Sequence, residues 1–338
     1  MFKPTVFITR QLPISLDPLH AVAAVEVWPE RTPPPAELLL EKLKNRDGLL
    51  CLLTDSIHAA LIASSPSLRV ISQMAVGYDN IDISAATARQ IPVGHTPGIL
   101  TNATADLTWA LLMAAARRIV EGDRFTRSGQ WLTWEPDLLL GPDVAGATLG
   151  IIGLGRIGQA VARRAKGFEM QILYTGNQRL SPEQEQGAEW VSLETLLQSA
   201  DFVTIHTPLT PTTRHLFGDR TFALMKPTAI LINTARGAII DPDALYRALK
   251  SGQIAAAAID VTEPEPISME SALLELDNLI ITPHIGSASC QTRAKMAATA
   301  IDNLIAGLKG DRLPHCVNPE VYCRPDVSQN IAIHEDTH

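Results

Sequence analysis

The chain lacks most marks of a secreted, membrane-spanning or nucleic-acid-binding protein. It carries four cysteines in 338 residues, Cys51, Cys290, Cys316 and Cys323. They show no CxxC spacing and no dense framework, so reduced thiols are expected, with neither a disulfide scaffold nor a metal site. No apolar run approaches the roughly 20 residues of a membrane span. The N-terminal MFKPTVFITRQLP runs from a short apolar stretch into Arg10 and Pro13 without a small-residue cleavage site, so a signal peptide is not expected. An excess of basic charge is also missing. Lys and Arg number 28 against 36 Asp and Glu, a net charge of −8, and a nucleic-acid binder normally carries a basic face. Small anionic ligands stay allowed, because a site needs only one or two local cations. These absences point to a cytoplasmic protein with no nucleic-acid or membrane partner.

What is present describes a globular protein. Hydrophobic residues make up 46% and charged residues 19% of a 338-residue chain, enough for full cores and, by length, for two domains. Apolar runs at Thr5–Thr9, Val22–Trp28, Gly48–Leu53, Leu68–Met74 and Ile91–Gly94 predict short buried strands. Helical patterns such as Pro35–Lys44 lie between them. A long helix is expected from Thr101 to Ser128, closed by Gly129. The alternation then restarts, with strands at Thr148–Ile152, Gln171–Tyr174, Phe202–His206, Ala229–Asn233, Ala255–Asp260 and Leu279–Thr282. The expected fold is α/β, two doubly wound parallel-sheet domains with helices on both faces. The helix Gln291–Lys309 remains after the second sheet is full and is expected to cross back onto the first domain. The predicted boundaries are 1–100 with 288–318 for one domain and 101–287 for the other, with a hinge, an interdomain cleft and a loose tail at 319–338.

Gly153-Leu154-Gly155-Arg156-Ile157-Gly158 follows one strand and opens a helix, the context in which a GxGxxG pattern carries weight. The first glycine makes the tight turn, the second admits a pyrophosphate, and the third lets the helix lie close to the strand. The helix N-terminus favours phosphate, and Arg156 can add a direct charge. About twenty residues later a strand normally ends in Asp or Glu to hold the ribose of NAD. Here Gln171–Tyr174 runs into Thr175-Gly176-Asn177-Gln178-Arg179 with no acid. Thr175, Asn177 and Arg179 offer hydroxyl, amide and guanidinium groups instead, so NADP(H) is the preferred cofactor, with NAD(H) still usable.

Three further strand ends carry reactive side chains: Arg236 in Asn233–Gly237, Glu265 in Asp260–Pro266, and His284 in Thr282–Ser287. Ligands of open parallel sheets bind at such ends. Arg236 suits a substrate carboxylate. His284 suits a proton donor to a ketone, and Glu265 suits the carboxylate that orients it.

These motifs resemble the D-isomer-specific 2-hydroxyacid dehydrogenases over roughly residues 5–318. Leu173–Gly176, Trp131–Trp134 and His284–Ser287 look most like the glyoxylate/hydroxypyruvate reductases within that family. The resemblance implies a flavodoxin-like substrate domain, a Rossmann cofactor domain and the catalytic set Arg236, Glu265 and His284. It implies that the backbone at Val76-Gly77 receives the substrate carboxylate, with Ser287 and Trp134 also toward substrate. It places His206, Thr207, Pro208, Thr234, Ala235, Asp260 and Gly286 beside the cofactor, Asp260 near the nicotinamide carboxamide. It also implies a homodimer through the cofactor domain. Where close relatives carry Arg, this chain has Asn177, which weakens the NADP preference. Formate dehydrogenases carry Gln in place of the Glu partner, and phosphite dehydrogenases carry Lys where Val76 stands. D-lactate-type and phosphite-type activities, and a dinucleotide-sensing co-repressor, stay as alternatives. Glyoxylate, hydroxypyruvate and pyruvate differ by groups worth only about 1–3 kcal/mol in discrimination.

Overall fold

The computed structural model describes residues 3–323. The chain divides into two compact units, residues 1–99 with 290–338 and residues 100–289. In the first, strands β1 (Thr5–Ile8), β2 (Ala24–Val27), β3 (Gly48–Cys51), β4 (Val70–Gln73) and β5 (Val93–Gly94) form a parallel sheet in the order β2-β1-β3-β4-β5. Alternate residues feed two cores, because successive strand side chains point to opposite faces. Phe7, Leu49 and Ile71 face one core; Val6, Ile8, Leu50 and Val70 face the other. The helix Cys290–Lys309 covers the second face with Ala297, Ile301, Leu304 and Leu308. It can lie close because small residues meet the sheet: a Cβ added at Gly307 would stand 2.4 Å from Val70 Cγ2.

The second unit holds β6 (Thr148–Ile152), β7 (Gln171–Thr175), β8 (Glu189–Trp190), β9 (Phe202–Ile205), β10 (Ile230–Asn233), β11 (Ala256–Ile259) and β12 (Leu279–Ile281). All pairs are parallel, in the order β12-β11-β10-β9-β6-β7-β8. The chain reverses its direction of growth between β6 and β9, the place where doubly wound sheets bind ligands. Leu149, Ile151, Ile172 and Tyr174 fill one core, while Ile152, Leu173, Val203 and Ile205 fill the other. Both sheets are therefore covered on both faces, as the apolar runs predicted.

Three local expectations need correction. The long helix is two, Thr101–Ala116 and Ile119–Arg127. Arg118 between them adopts a left-handed φ of 50° and pairs with Glu121 at 2.7 and 2.8 Å. The chain at Gly141 seals the first helix end, where an added Cβ would lie 1.9 Å from Ala116 O. The second strand begins at Ala24, because Asp17–Val22 is a helix started by Asp17 and Pro18. Part of the expected loose tail is ordered: Pro319–Tyr322 is a 3₁₀ turn, and Tyr322 accepts from Leu313 N at 2.9 Å. Buried Asn318 binds Val93 N and Ile91 O, so this segment covers the open edge of β5. Residues 324–338 of that tail lie outside the described residues. Among the described residues no helix is long and apolar enough to cross a membrane.

The close approach at Gly307 gives a direct test. Gly307→Val should lower unfolding stability by about 1–3 kcal/mol, the usual cost of overpacking. Chemical denaturation with unchanged stability would show that the helix does not sit on β4 as described.

Candidate active site

The glycine motif divides its labour as the geometry requires. Gly153 follows β6 with φ 93°, and an added Cβ would lie 2.8 Å from His206 O. A Cβ at Gly158 would meet Gly153 O at 2.2 Å, so the helix Arg156–Ala165 needs glycine to lie on the turn. Gly155 alone faces open space, with nothing within 4 Å of an added Cβ. It is also the N-cap and supplies no side-chain cap, so the first helical N–H groups keep their capacity for an anion. Exposed Arg156 starts that helix. This cradle fits the pyrophosphate of a dinucleotide.

Thr175 ends β7, and the turn after it holds Gly176, Asn177 and Arg179, all three exposed. Arg179 is not a lone cation. Its Nε and Nη2 reach Glu185 at 2.8 and 3.3 Å, and Glu185 also accepts from Tyr174 Oη at 2.8 Å. The guanidinium and the tyrosine hydroxyl hold the Glu185 carboxyl below the usual carboxylate range. With 64% of its side chain exposed, Arg179 retains N–H groups on its outer edge. Reading the sequence did not single out Glu185, because its partner lies six residues away across an irregular turn.

His206 follows β9 and lies against Gly153, and its Nε2 lies 2.9 Å from Thr204 Oγ1. The residue is half-buried, and desolvation pushes its pKa down to about 3. It is a neutral hydrogen-bonding wall. Thr207 and Pro208 follow it at the rim.

Beyond β11 and β12, a buried carboxylate at the end of one strand ties down the histidine loop at the end of the other. Asp260, 1% exposed, accepts from Thr282 Oγ1 at 2.6 Å, Ile285 N at 2.8 Å and Gly286 N at 2.7 Å. Its backbone N–H donates to Asn233 O, and its carbonyl accepts from His284 N at 2.9 Å. Hydrogen bonds to a charged group contribute about 1.5–3 kcal/mol each. That outweighs the roughly 1–2 kcal/mol cost of a left-handed residue, and His284 has φ 53°. In that conformation His284 Nδ1 stands 2.6 Å from Glu265 Oε1, both side chains about one-quarter to one-third exposed (25% and 31%). Asp260 thus serves the histidine loop as its anchor, a role its position beside the cofactor motifs did not reveal.

Asn233 brackets the Arg236 turn, accepting from Ala235 N and donating to Arg236 O, both at 2.9 Å. Arg236 Nη1 also donates to Ala235 O at 2.9 Å. The turn meets the Glu265 loop at Gly237, where an added Cβ would be 2.0 Å from Thr262 O. The helix Thr101–Ala116 backs the group: Thr108 Oγ1 lies 3.0 Å from Thr234 Oγ1, and Thr104 Oγ1 donates to Gly286 O at 3.3 Å. Ser287 follows on the same loop. In the other unit, Val76 and Gly77 lie half-buried after β4. Trp131, Leu132 and Trp134 are 61%, 88% and 79% exposed, an apolar stretch in a loop of the larger unit.

The glycine roles predict a contrast. Gly155→Ala should weaken dinucleotide binding while leaving the melting temperature close to that of the parent. Gly158→Ala should lower that temperature by several degrees, because its Cβ must displace backbone. Equal thermal effects at the two positions would contradict this division of roles.

Comparison with known proteins shows the family. Residues 109–286 match the family model described as D-isomer specific 2-hydroxyacid dehydrogenase, NAD binding domain. A glyoxylate reductase of Korarchaeum cryptofilum is 50% identical over 322 residues, covering 94% of this chain and 97% of the relative. The crystal structure of the TT0316 protein from Thermus thermophilus is similar at a TM-score of 0.88 and 46% identity, covering 93% of this chain and 99% of that one. An NADPH-dependent glyoxylate/hydroxypyruvate reductase from Sinorhizobium meliloti, solved with NADP and malonate, is similar at a TM-score of 0.83 and 30% identity, covering 93% and 97%. The chain belongs to the D-isomer-specific 2-hydroxyacid dehydrogenases.

Proposed function

We propose that the protein reduces glyoxylate, and also hydroxypyruvate, to the corresponding 2-hydroxy acid with a reduced nicotinamide dinucleotide. The observation that carries this reading is the His284–Glu265 contact of 2.6 Å at convergent strand ends of a family member. It is supported by the relatives named glyoxylate reductase. When bound, the dinucleotide supplies the hydride for the carbonyl carbon. Glu265 accepts the His284 Nδ1–H, which leaves the Nε2–H of the imidazolium to protonate the carbonyl oxygen. The negative partner also stabilises that imidazolium. Arg236 takes the substrate carboxylate with its planar fork, and the backbone at Val76-Gly77 adds N–H donors to it. The smaller unit is on this reading the substrate domain and the larger one the cofactor domain.

For the cofactor we propose a preference for NADP(H) without exclusion of NAD(H). No acid ends β7, and Thr175, Asn177 and the outer edge of Arg179 face the turn where a ribose 2′-phosphate would lie. Gly153–Gly158, Thr234, Ala235 and Gly286 line the rest of the dinucleotide path. The exposed Trp131–Trp134 stretch favours a homodimer through the larger unit, with Trp134 directed toward the partner's substrate. Free cysteines among the described residues fit a cytoplasmic setting.

Initial rates with glyoxylate, hydroxypyruvate and pyruvate, each with NADPH and NADH, test the reading. Glyoxylate or hydroxypyruvate should give the highest kcat/KM, and NADPH should exceed NADH. Thr175→Asp should shift the balance toward NADH, by offering its ribose a hydrogen bond and repelling the extra phosphate. A parent enzyme that favours NADH tenfold would overturn the cofactor preference.

His284→Ala should cut kcat by roughly 10²–10⁴-fold, the usual range for a general acid, with dinucleotide affinity nearly intact. A variant that keeps more than half the activity would remove His284 from the proton-donor role.

A further inference from the structure

Two carbonyls of the loop after β4 are tied back into the smaller unit, and the ties determine where the adjoining N–H groups face. Val76 O lies 3.0 Å from His95 Nδ1. A carbonyl oxygen can only accept, so Nδ1 carries the hydrogen. Gly77 O accepts from Gln73 Nε2 at 2.5 Å. A trans peptide is planar, with its C=O and N–H pointing in opposite directions. The Gly77 N–H is therefore turned away from the His95 ring, and the Tyr78 N–H away from Gln73. Among the described residues of this unit, neither N–H donates to a backbone acceptor.

Both anchors are themselves held. Gln73 ends β4 fully buried. Its amide exchanges hydrogen bonds with Asn80 at 2.8 and 2.9 Å, and Asn80 donates onward to Asp55 O at 2.7 Å. The His95 backbone is pinned on both sides. Its N–H donates to His315 O at 3.1 Å, and its carbonyl accepts from buried Asn303 of the helix Cys290–Lys309 at 2.9 Å. The His95 ring packs edge-on against Tyr78, with centroids 5.8 Å apart. A fully buried amide is costly unless its hydrogen bonds are made. Its placement here serves the conformation of the loop.

We infer that His95 and Gln73 are positioning residues for the substrate carboxylate. By holding the carbonyls of Val76 and Gly77, they present the Gly77 and Tyr78 N–H groups as two donors fixed in advance. The inference rests on the reading above that this loop receives the carboxylate. A peptide flip at either unit would turn a donor into an acceptor, replacing attraction for the anion by repulsion. Donors that are already oriented spend no binding energy on that rearrangement.

The test uses the full-length enzyme with glyoxylate as substrate and oxalate as a competing dicarboxylate. His95→Leu and Gln73→Leu should each raise the glyoxylate KM and the oxalate inhibition constant about 3- to 10-fold, the range for one lost hydrogen bond. The change in KM should exceed that in kcat, and the KM for NADPH should stay put. His95→Asn, whose amide nitrogen can take the place of Nδ1, should recover most of the affinity. If Gln73→Leu does not fold, the two His95 variants decide the matter. An active parent whose Leu variants bind glyoxylate and oxalate normally would overturn the inference alone, as would a His95→Asn variant no better than His95→Leu. A parent that turns over no glyoxylate would overturn the reading of the reaction and the inference with it.

Discussion

The buried carboxylate of Asp260 is the constraint on which the candidate active site depends. It accepts from two backbone N–H groups and one hydroxyl of the histidine loop, groups that are costly to bury without a partner. In doing so it holds His284 in a left-handed conformation and brings its Nδ1 to Glu265. Neither catalytic candidate needs Asp260 chemically. The loop that carries His284 is held by it. The same logic recurs at Asn233, whose buried amide shapes the Arg236 turn. A layer of fully satisfied polar groups beneath the strand ends thus carries the reactive residues above it.

The larger sheet explains why these groups meet at one end. With all strands parallel, every carboxyl end lies on the same edge, and the reversal between β6 and β9 opens the sheet there. Gly153 and Gly158 bring the helix Arg156–Ala165 close to the opening, while Gly155 leaves space at its N-terminus. Cofactor cradle and reactive loops are therefore consequences of one topology. The smaller sheet obeys the same rule at its own strand ends, with the loop after β4 shaped by Gln73 and His95.

Much of this was legible in the sequence because the signals are local. Short apolar runs marked the strands, the spacing of Gly153, Gly155 and Gly158 marked the cradle, and Arg236, Glu265 and His284 stood out as reactive types at successive strand ends. What was not legible depends on partners distant along the chain or on backbone direction. Asp260 read as a cofactor neighbour, since nothing in the local pattern shows its oxygens turned to residues 282–286. Arg179 read as a cation for phosphate, without the Glu185 and Tyr174 that hold one of its edges. The helix break at Arg118 depends on Gly141, more than twenty positions later, lying against the Ala116 carbonyl. Gln73 and His95 gave no sign at all, because an amide at a strand end and a lone histidine are ordinary until their carbonyl partners are known.

The most direct measurement of the central claim is isotopic. The protein should be incubated with glyoxylate and NADPH carrying deuterium at the transferable C4 position, and the product analysed by mass spectrometry and NMR. The account predicts glycolate with one deuterium on its C2 carbon, the mark of direct hydride transfer between cofactor and keto acid. Glycolate without deuterium at C2, or oxidised cofactor without glycolate, would contradict it.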